Sequence, residues 1–136
     1  MAVVARKRSG SSVFAAWCYA TDVVGDVVHI MGNKVGSYYQ VTKVNIEDES
    51  TMPAIGVIVQ KLSPSVCVVQ HRDLVSGVYT GLTPGSTLWV GSDSRLSSTP
   101  PPSPTSGYRI RQPMARVVAA DEFLMWVQEP IKRLPN

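Results

Sequence analysis

Two histidines, one short acidic run and two cysteines are the side chains here with the means for acid–base, metal or thiol chemistry. His71 is followed by Arg72 and Asp73, and an imidazole beside a carboxylate is the pairing a general base needs. A hydrolase would add a nucleophile on a strained turn, and no Gly-x-Ser-x-Gly elbow occurs. His71 is therefore read as the end of a strand. His29 sits inside an apolar run and reads as a satisfied core or interface residue. Glu47-Asp48-Glu49 lacks the Asp-x-Asp-x-Asp-Gly rhythm of a calcium loop and reads as a solvated loop. Cys18 and Cys67 follow no metal spacing and read as two buried free thiols. No phosphate-cradling loop or dinucleotide fingerprint is found. The expectation is a protein that binds and does not catalyse, with no cofactor and no metal.

The basic trio Arg6, Lys7 and Arg8 equals the whole net charge of +3. Three readings stand side by side: a solubilising terminus, an arm that docks on an acidic protein surface, and a contact with phosphates. Three charges release few counterions, and no broad basic face accompanies them. Nucleic acid is therefore not the expected partner.

The elements that must position these residues are strands. No window keeps a helical apolar stripe for three turns. Runs rich in Val, Ile, Tyr and Trp recur at 13–19, 27–31, 38–44, 55–62, 66–71, 74–79, 87–90, 109–112, 114–119 and 123–127. Turn chemistry separates them: Met31-Gly32-Asn33-Lys34, Ser63-Pro64-Ser65, Thr83-Pro84-Gly85 and Gly91-Ser92-Asp93-Ser94. Ten short strands in 136 residues predict an all-β fold, a small antiparallel barrel or sandwich. Residues 1–12 form an extended N-terminal arm, 13–128 a single β-domain, and 129–136 a C-terminal tail. Pro100, Pro101, Pro102 and Pro104 make 99–107 an extended proline-rich loop. No run approaches the roughly 20 apolar residues of a membrane helix, and no export signal is read at the start.

Hydrophobic residues make up 44% of the chain and charged residues only 17%. Phe123-Leu124-Met125-Trp126-Val127 and Val66-Cys67-Val68-Val69 are apolar on both faces. One face serves the core. The other belongs either to a neighbouring subunit or to the interior of a two-layer sandwich. Leu124, Trp126 and Trp89 are the residues expected to mediate self-association.

One stretch carries a resemblance. Gly81-Leu82-Thr83-Pro84-Gly85, a short strand ending in Trp89-Val90, a turn at Gly91, then Leu96-Ser97-Ser98-Thr99-Pro100-Pro101 follow in order. Val24-Gly25-Asp26-Val27-Val28 and Ala54-Ile55-Gly56-Val57-Ile58-Val59 precede them, and Gln112-Pro113-Met114-Ala115-Arg116-Val117 follows. This ordered set, spanning 20–128, resembles the virion β-domain of tailed phages found in capsid decoration (cement) proteins and in head and tail fibres. Ala115 stands where that pattern has Gly, a charged Arg116 follows it, and Trp89 stands where Tyr is usual.

The resemblance implies a structural virion protein at the capsid surface, with the major capsid protein as partner and a homotrimer as the expected assembly. Chain length favours decoration over a fibre or adaptor, because 136 residues leave no room for a stalk. The alternatives are a head- or tail-fibre component and, behind it, a small nucleic-acid-binding or hydrolytic barrel.

Overall fold

Alternation of small or β-branched residues with polar ones sets the strands, and prolines and glycines cut them. The computed structural model describes residues 12–135. Among them are twelve strands and no α-helix. The first five are Val13–Trp17 (β1), Val27–Val35 (β2), Tyr38–Lys43 (β3), Gly56–Lys61 (β4) and Val66–Gln70 (β5). They close into a barrel in the order β1-β3-β2-β4-β5, with β1 parallel to β3 and antiparallel to β5. Then come Arg72–Ser76 (β6), Thr87–Val90 (β7), Leu96–Ser97 (β8), Arg109–Arg111 (β9), Pro113–Ala119 (β10), Glu122–Trp126 (β11) and Ile131–Arg133 (β12). Five of these form a second sheet in the order β6-β11-β10-β7-β8, and β12 pairs with β9. The fold is all-β, as the sequence indicates.

Two apolar clusters result. Ala16, Cys18, Val28, Val41, Ile58, Cys67 and Val69 fill the barrel. Val27, Val57, Leu88, Met114, Val117 and Phe123 belong to the second cluster, between the barrel wall and the second sheet. Consecutive residues therefore serve different cores: Val27 and Val57 point out of the barrel, while Val28 and Ile58 point in. This accounts for strands apolar on both faces in β2 and β4. It does not account for β5 or β11, whose second faces pack against neither cluster. Phe123 is fully buried, so truncation to Ala is worth about 3–5 kcal/mol.

Loops are tied to the sheets by specific bonds. In the 81–91 stretch Gly85 has φ +91°, open to glycine at little cost, and its N–H donates to the Val117 carbonyl at 2.8 Å. Leu82 N–H donates to Ala120 O at 2.9 Å, and Gly91 N–H to Arg95 O at 2.7 Å. The stretch folds as turn, strand and turn, as expected. The proline-rich loop is held by Arg111 Nε to Pro101 O (2.8 Å) and Arg109 Nη1 to Pro102 O (3.0 Å), with Pro101 and Pro104 buried.

Three local features differ from expectation. The first hairpin turns at 36–37 and not at 31–34, because β2 continues through a bulge between Ile30 and Lys34. Leu96–Ser97 forms the short strand β8, and Ile131–Arg133 in the expected tail forms β12. Both are very short: β8 forms a hairpin with β7 across the turn at Gly91, and β12 pairs with β9 from across the intervening strands.

Candidate functional site

The outer face of the second sheet is built by period-two alternation in β6, β10 and β11. Phe123 and Met125 turn into the core, which sends Leu124 and Trp126 outward, 45% and 54% exposed. Leu124 lies opposite Leu74 on β6 and Arg116 on β10, and Trp126 lies opposite Arg72. Val118 on β10 is also exposed. The Arg116 guanidinium lies 6.0 Å from the Trp126 ring centre, and Ser76 Oγ donates to Glu122 at 2.8 Å. The result is an apolar strip framed by two arginines and one carboxylate. Such a strip suits contact with another macromolecule better than a small ligand, because its apolar side chains stand exposed on the outside of a sheet.

The structure brings Leu124 and Trp126 together. Trp89 is on the same sheet but on β7, across β10 and opposite Pro113, and it is half-buried. Leu74, Val118, Arg72 and Arg116 complete the strip without having been singled out from sequence. The signal for Leu74 was present in the alternation Arg72-Asp73-Leu74-Val75-Ser76, with only Val75 buried. Arg6, Lys7 and Arg8 lie outside the described residues.

His71 lines a shallow apolar groove of about 380 Å³ with Phe14, Ile30, Ile55 and Val127. Its ring centre is 6.0 Å from that of Phe14. The neighbouring Asp73 carboxylate accepts from Ser12 Oγ, and the His71 backbone N–H donates to Ser12 O at 3.0 Å. The four other side chains lining the groove are hydrocarbon, so none supplies a nucleophile beside the imidazole. His29 Nδ1 is 2.9 Å from Pro53 O, a tie between the barrel and the following loop.

The acidic run is consumed by local structure. Asp48 caps a 3-10 turn at Glu49–Thr51 through Ser50, and the Ser50 hydroxyl and N–H hold its carboxyl below the usual carboxylate range. Glu47 pairs with Arg109 at 3.4 Å and Glu49 with Lys132 at 2.8 Å. The Glu49 carboxylate raises Lys132 above its ordinary value. Among the described residues no three His, Cys, Asp or Glu side chains converge as a metal cluster. Cys18 and Cys67 are free and fully buried in the barrel. Burial, reinforced by the neighbouring Cys18, pushes the Cys67 thiol up to about 12.

Buried and half-buried polar side chains stitch segments together. Asp22 and Asp26 accept from the N–H groups of Tyr19 and Val23, each at 2.9 Å. Gln112 joins Ala54 and Gln128. Arg95 reaches Val24 O at 3.2 Å and Asp26 at 3.4 Å while lying over the Tyr79 ring. No protein-family model, curated protein or solved structure matches this chain.

Proposed function

We propose that this protein is a structural component of a tailed-phage virion, a decoration (cement) protein that binds the outside of the head and stabilises the lattice of the major capsid protein. The observation that carries the reading is the Leu74–Leu124–Trp126 strip with Arg72 and Arg116 beside it, an exposed apolar surface on a stitched all-β body. A rigid face loses little entropy on docking, so modest contacts go into binding. The order of turn and strand elements from Val24 to Val117 supports the phage assignment as a resemblance of sequence.

The mechanism is mass action. A subunit that binds the assembled shell and not its free components favours the assembled shell. Many copies on a symmetric lattice multiply weak individual contacts. On this reading the strip meets the capsid protein, and Arg6, Lys7 and Arg8 add an electrostatic contact to an acidic neighbour. The protein performs no catalysis and takes no cofactor.

The test is a phage head preparation with and without this protein. Heads lacking it are expected to burst at a lower temperature, and added protein is expected to restore them. Heads of unchanged stability from particles that fail to adsorb to cells would favour a fibre or adaptor role. Removal of residues 1–9 is expected to lower head occupancy, with the loss largest at low salt and shrinking as salt rises.

A further inference from the structure

The described chain begins beside an apolar groove. Phe14, Ile30, Ile55, His71 and Val127 line it, all half-buried, around a volume of about 380 Å³. Phe14, Ile30 and Ile55 lean on the barrel cluster and Val127 on the cluster between the sheets, so the groove lies where the two cores reach the surface. Its volume is at the small end of the roughly 300–1,000 Å³ of binding clefts. One imidazole and four hydrocarbon side chains hold an apolar occupant by burial and offer little to orient a polar one.

Ser12 is pinned at the rim of this groove. Its carbonyl accepts from the His71 N–H at 3.0 Å, and its hydroxyl donates to the Asp73 carboxylate. Asp73 does so from φ +67°, a conformation seldom adopted outside glycine. Residues 1–11, outside the described part, enter at that point. They contain five apolar residues in a row, Met1-Ala2-Val3-Val4-Ala5. Six residues, Arg6-Lys7-Arg8-Ser9-Gly10-Ser11, separate these from Ser12, and none is hydrophobic. Six residues span about 20 Å when extended, ample to turn back, and Gly10 between two serines offers the reversal.

We infer that residues 1–5 fold back and seat Val3 and Val4 in the groove of their own chain. Tethering decides the occupant. A segment tied six residues away is present at the groove at an effective concentration of roughly millimolar. A contact too weak to hold a free peptide therefore holds this one. A foreign chain or a sister copy faces the full entropic cost of association for the same few side chains. Charge favours the return loop as well. Arg6, Lys7 and Arg8 fall within it, and Asp73 and Glu129 each stand two residues from a lining residue. Arg72, the neighbouring cation, is opposite Trp126 on the outer strip. The inference goes beyond the virion reading and does not depend on it, since it concerns the isolated chain.

Methyl NMR of the full chain tests it, reading Ile30 and Ile55 in the groove and Leu124 on the outer strip. Val3→Asp with Val4→Asp is expected to move the Ile30 and Ile55 signals by more than their linewidths and to leave Leu124 in place. Val3→Ser with Val4→Ser is expected to do the same, because the contact is apolar. Wild-type positions are expected to be constant over a roughly hundredfold range of protein concentration, as an intramolecular contact requires. Groove signals indifferent to both pairs would overturn the inference and leave the groove to a foreign partner. A response to the Asp pair alone would overturn it by ascribing the change to charge, and a Leu124 signal that moves as far would ascribe it to the whole fold. Positions that move with protein concentration would overturn it in favour of a segment from a sister copy.

Discussion

The side-chain amide of Gln112 is hydrogen-bonded to both backbone groups of Ala54: Oε1 accepts from the Ala54 N–H and Nε2 donates to the Ala54 carbonyl, each at 2.9 Å. Nε2 also donates to Gln128 O at 2.9 Å. A fully buried side chain thus does the work of a missing strand, satisfying a loop that enters the core between the two sheets.

Gln112→Leu keeps much of the volume and removes every one of these bonds. It leaves a buried N–H and two carbonyls without this partner. Urea unfolding is expected to show a loss of about 3 kcal/mol. A loss below about 1 kcal/mol would mean that water replaces the amide there.

A second joint connects Gly25 and Arg95. Gly25 has φ +98°, and a Cβ built on it would stand 2.8 Å from the Arg95 guanidinium carbon. Gly25→Ala is expected to cost about 1–3 kcal/mol from backbone strain alone, with the clash added. Arg95→Ala removes the clash together with the contacts to Asp26 and the Tyr79 ring. The double mutant is therefore expected to be more stable than the sum of single losses predicts, and a double-mutant cycle measures that coupling. Additive losses would show that the guanidinium swings aside freely.

The sequence conveyed the fold class and the positions of ten of the twelve strands, nine of which have four or more residues in which to show a pattern, while the tenth, β9, alternates as Arg-Ile-Arg. β8 has only two residues, in a hairpin with β7, and β12, Ile-Lys-Arg, shows no alternation and owes its pairing with β9 to tertiary position. The 31–34 segment looked like a turn because Gly and Asn tolerate positive φ, a property a bulge exploits equally well. The exposed side of β11 was legible in Leu124 and Trp126, since alternation left two large apolar residues with no inward place. Which strands lie beside β11 depends on pairings far apart in sequence, so Leu74 and Arg116 were not.

The barrel thiols predict an alkaline limit. The Cys67 thiol is raised from near 9.0 to about 12 in the folded chain, so the folded state holds its proton more tightly than the unfolded state. Its contribution to stability is complete below about pH 9 and is lost as pH rises towards 12. Tyr79, raised above 10.0 chiefly by burial, acts in the same direction at higher pH. Melting temperature is expected to fall progressively above pH 9, and the fall in Cys67→Ala to begin at higher pH. Both thiols are expected to resist a water-soluble thiol reagent at pH 8 until denaturant opens the barrel. Fast labelling of the native chain would contradict the burial of the pair.

The outer strip of the second sheet separates stability from binding. Leu124 and Trp126 are about half exposed, and their alternate neighbours Phe123 and Met125 make the core contacts. Leu124→Ser and Trp126→Ser therefore remove little buried area. Thermal unfolding is expected to shift by no more than about 0.5 kcal/mol for Leu124→Ser. Trp126→Ser is expected to lose about 0.5–1 kcal/mol more, from the Arg116 contact over the indole ring. Phe123→Ser, one residue away on the opposite face, is expected to prevent stable folding. On heads, each outward variant is expected to reduce occupancy several-fold, and the pair together to reduce it by more than tenfold. Arg116→Glu should act in the same direction with a strong salt dependence if the partner surface is acidic. Full occupancy by the double Ser variant, at unchanged stability, would remove this strip from the binding surface and leave the capsid contact to be sought elsewhere on the molecule.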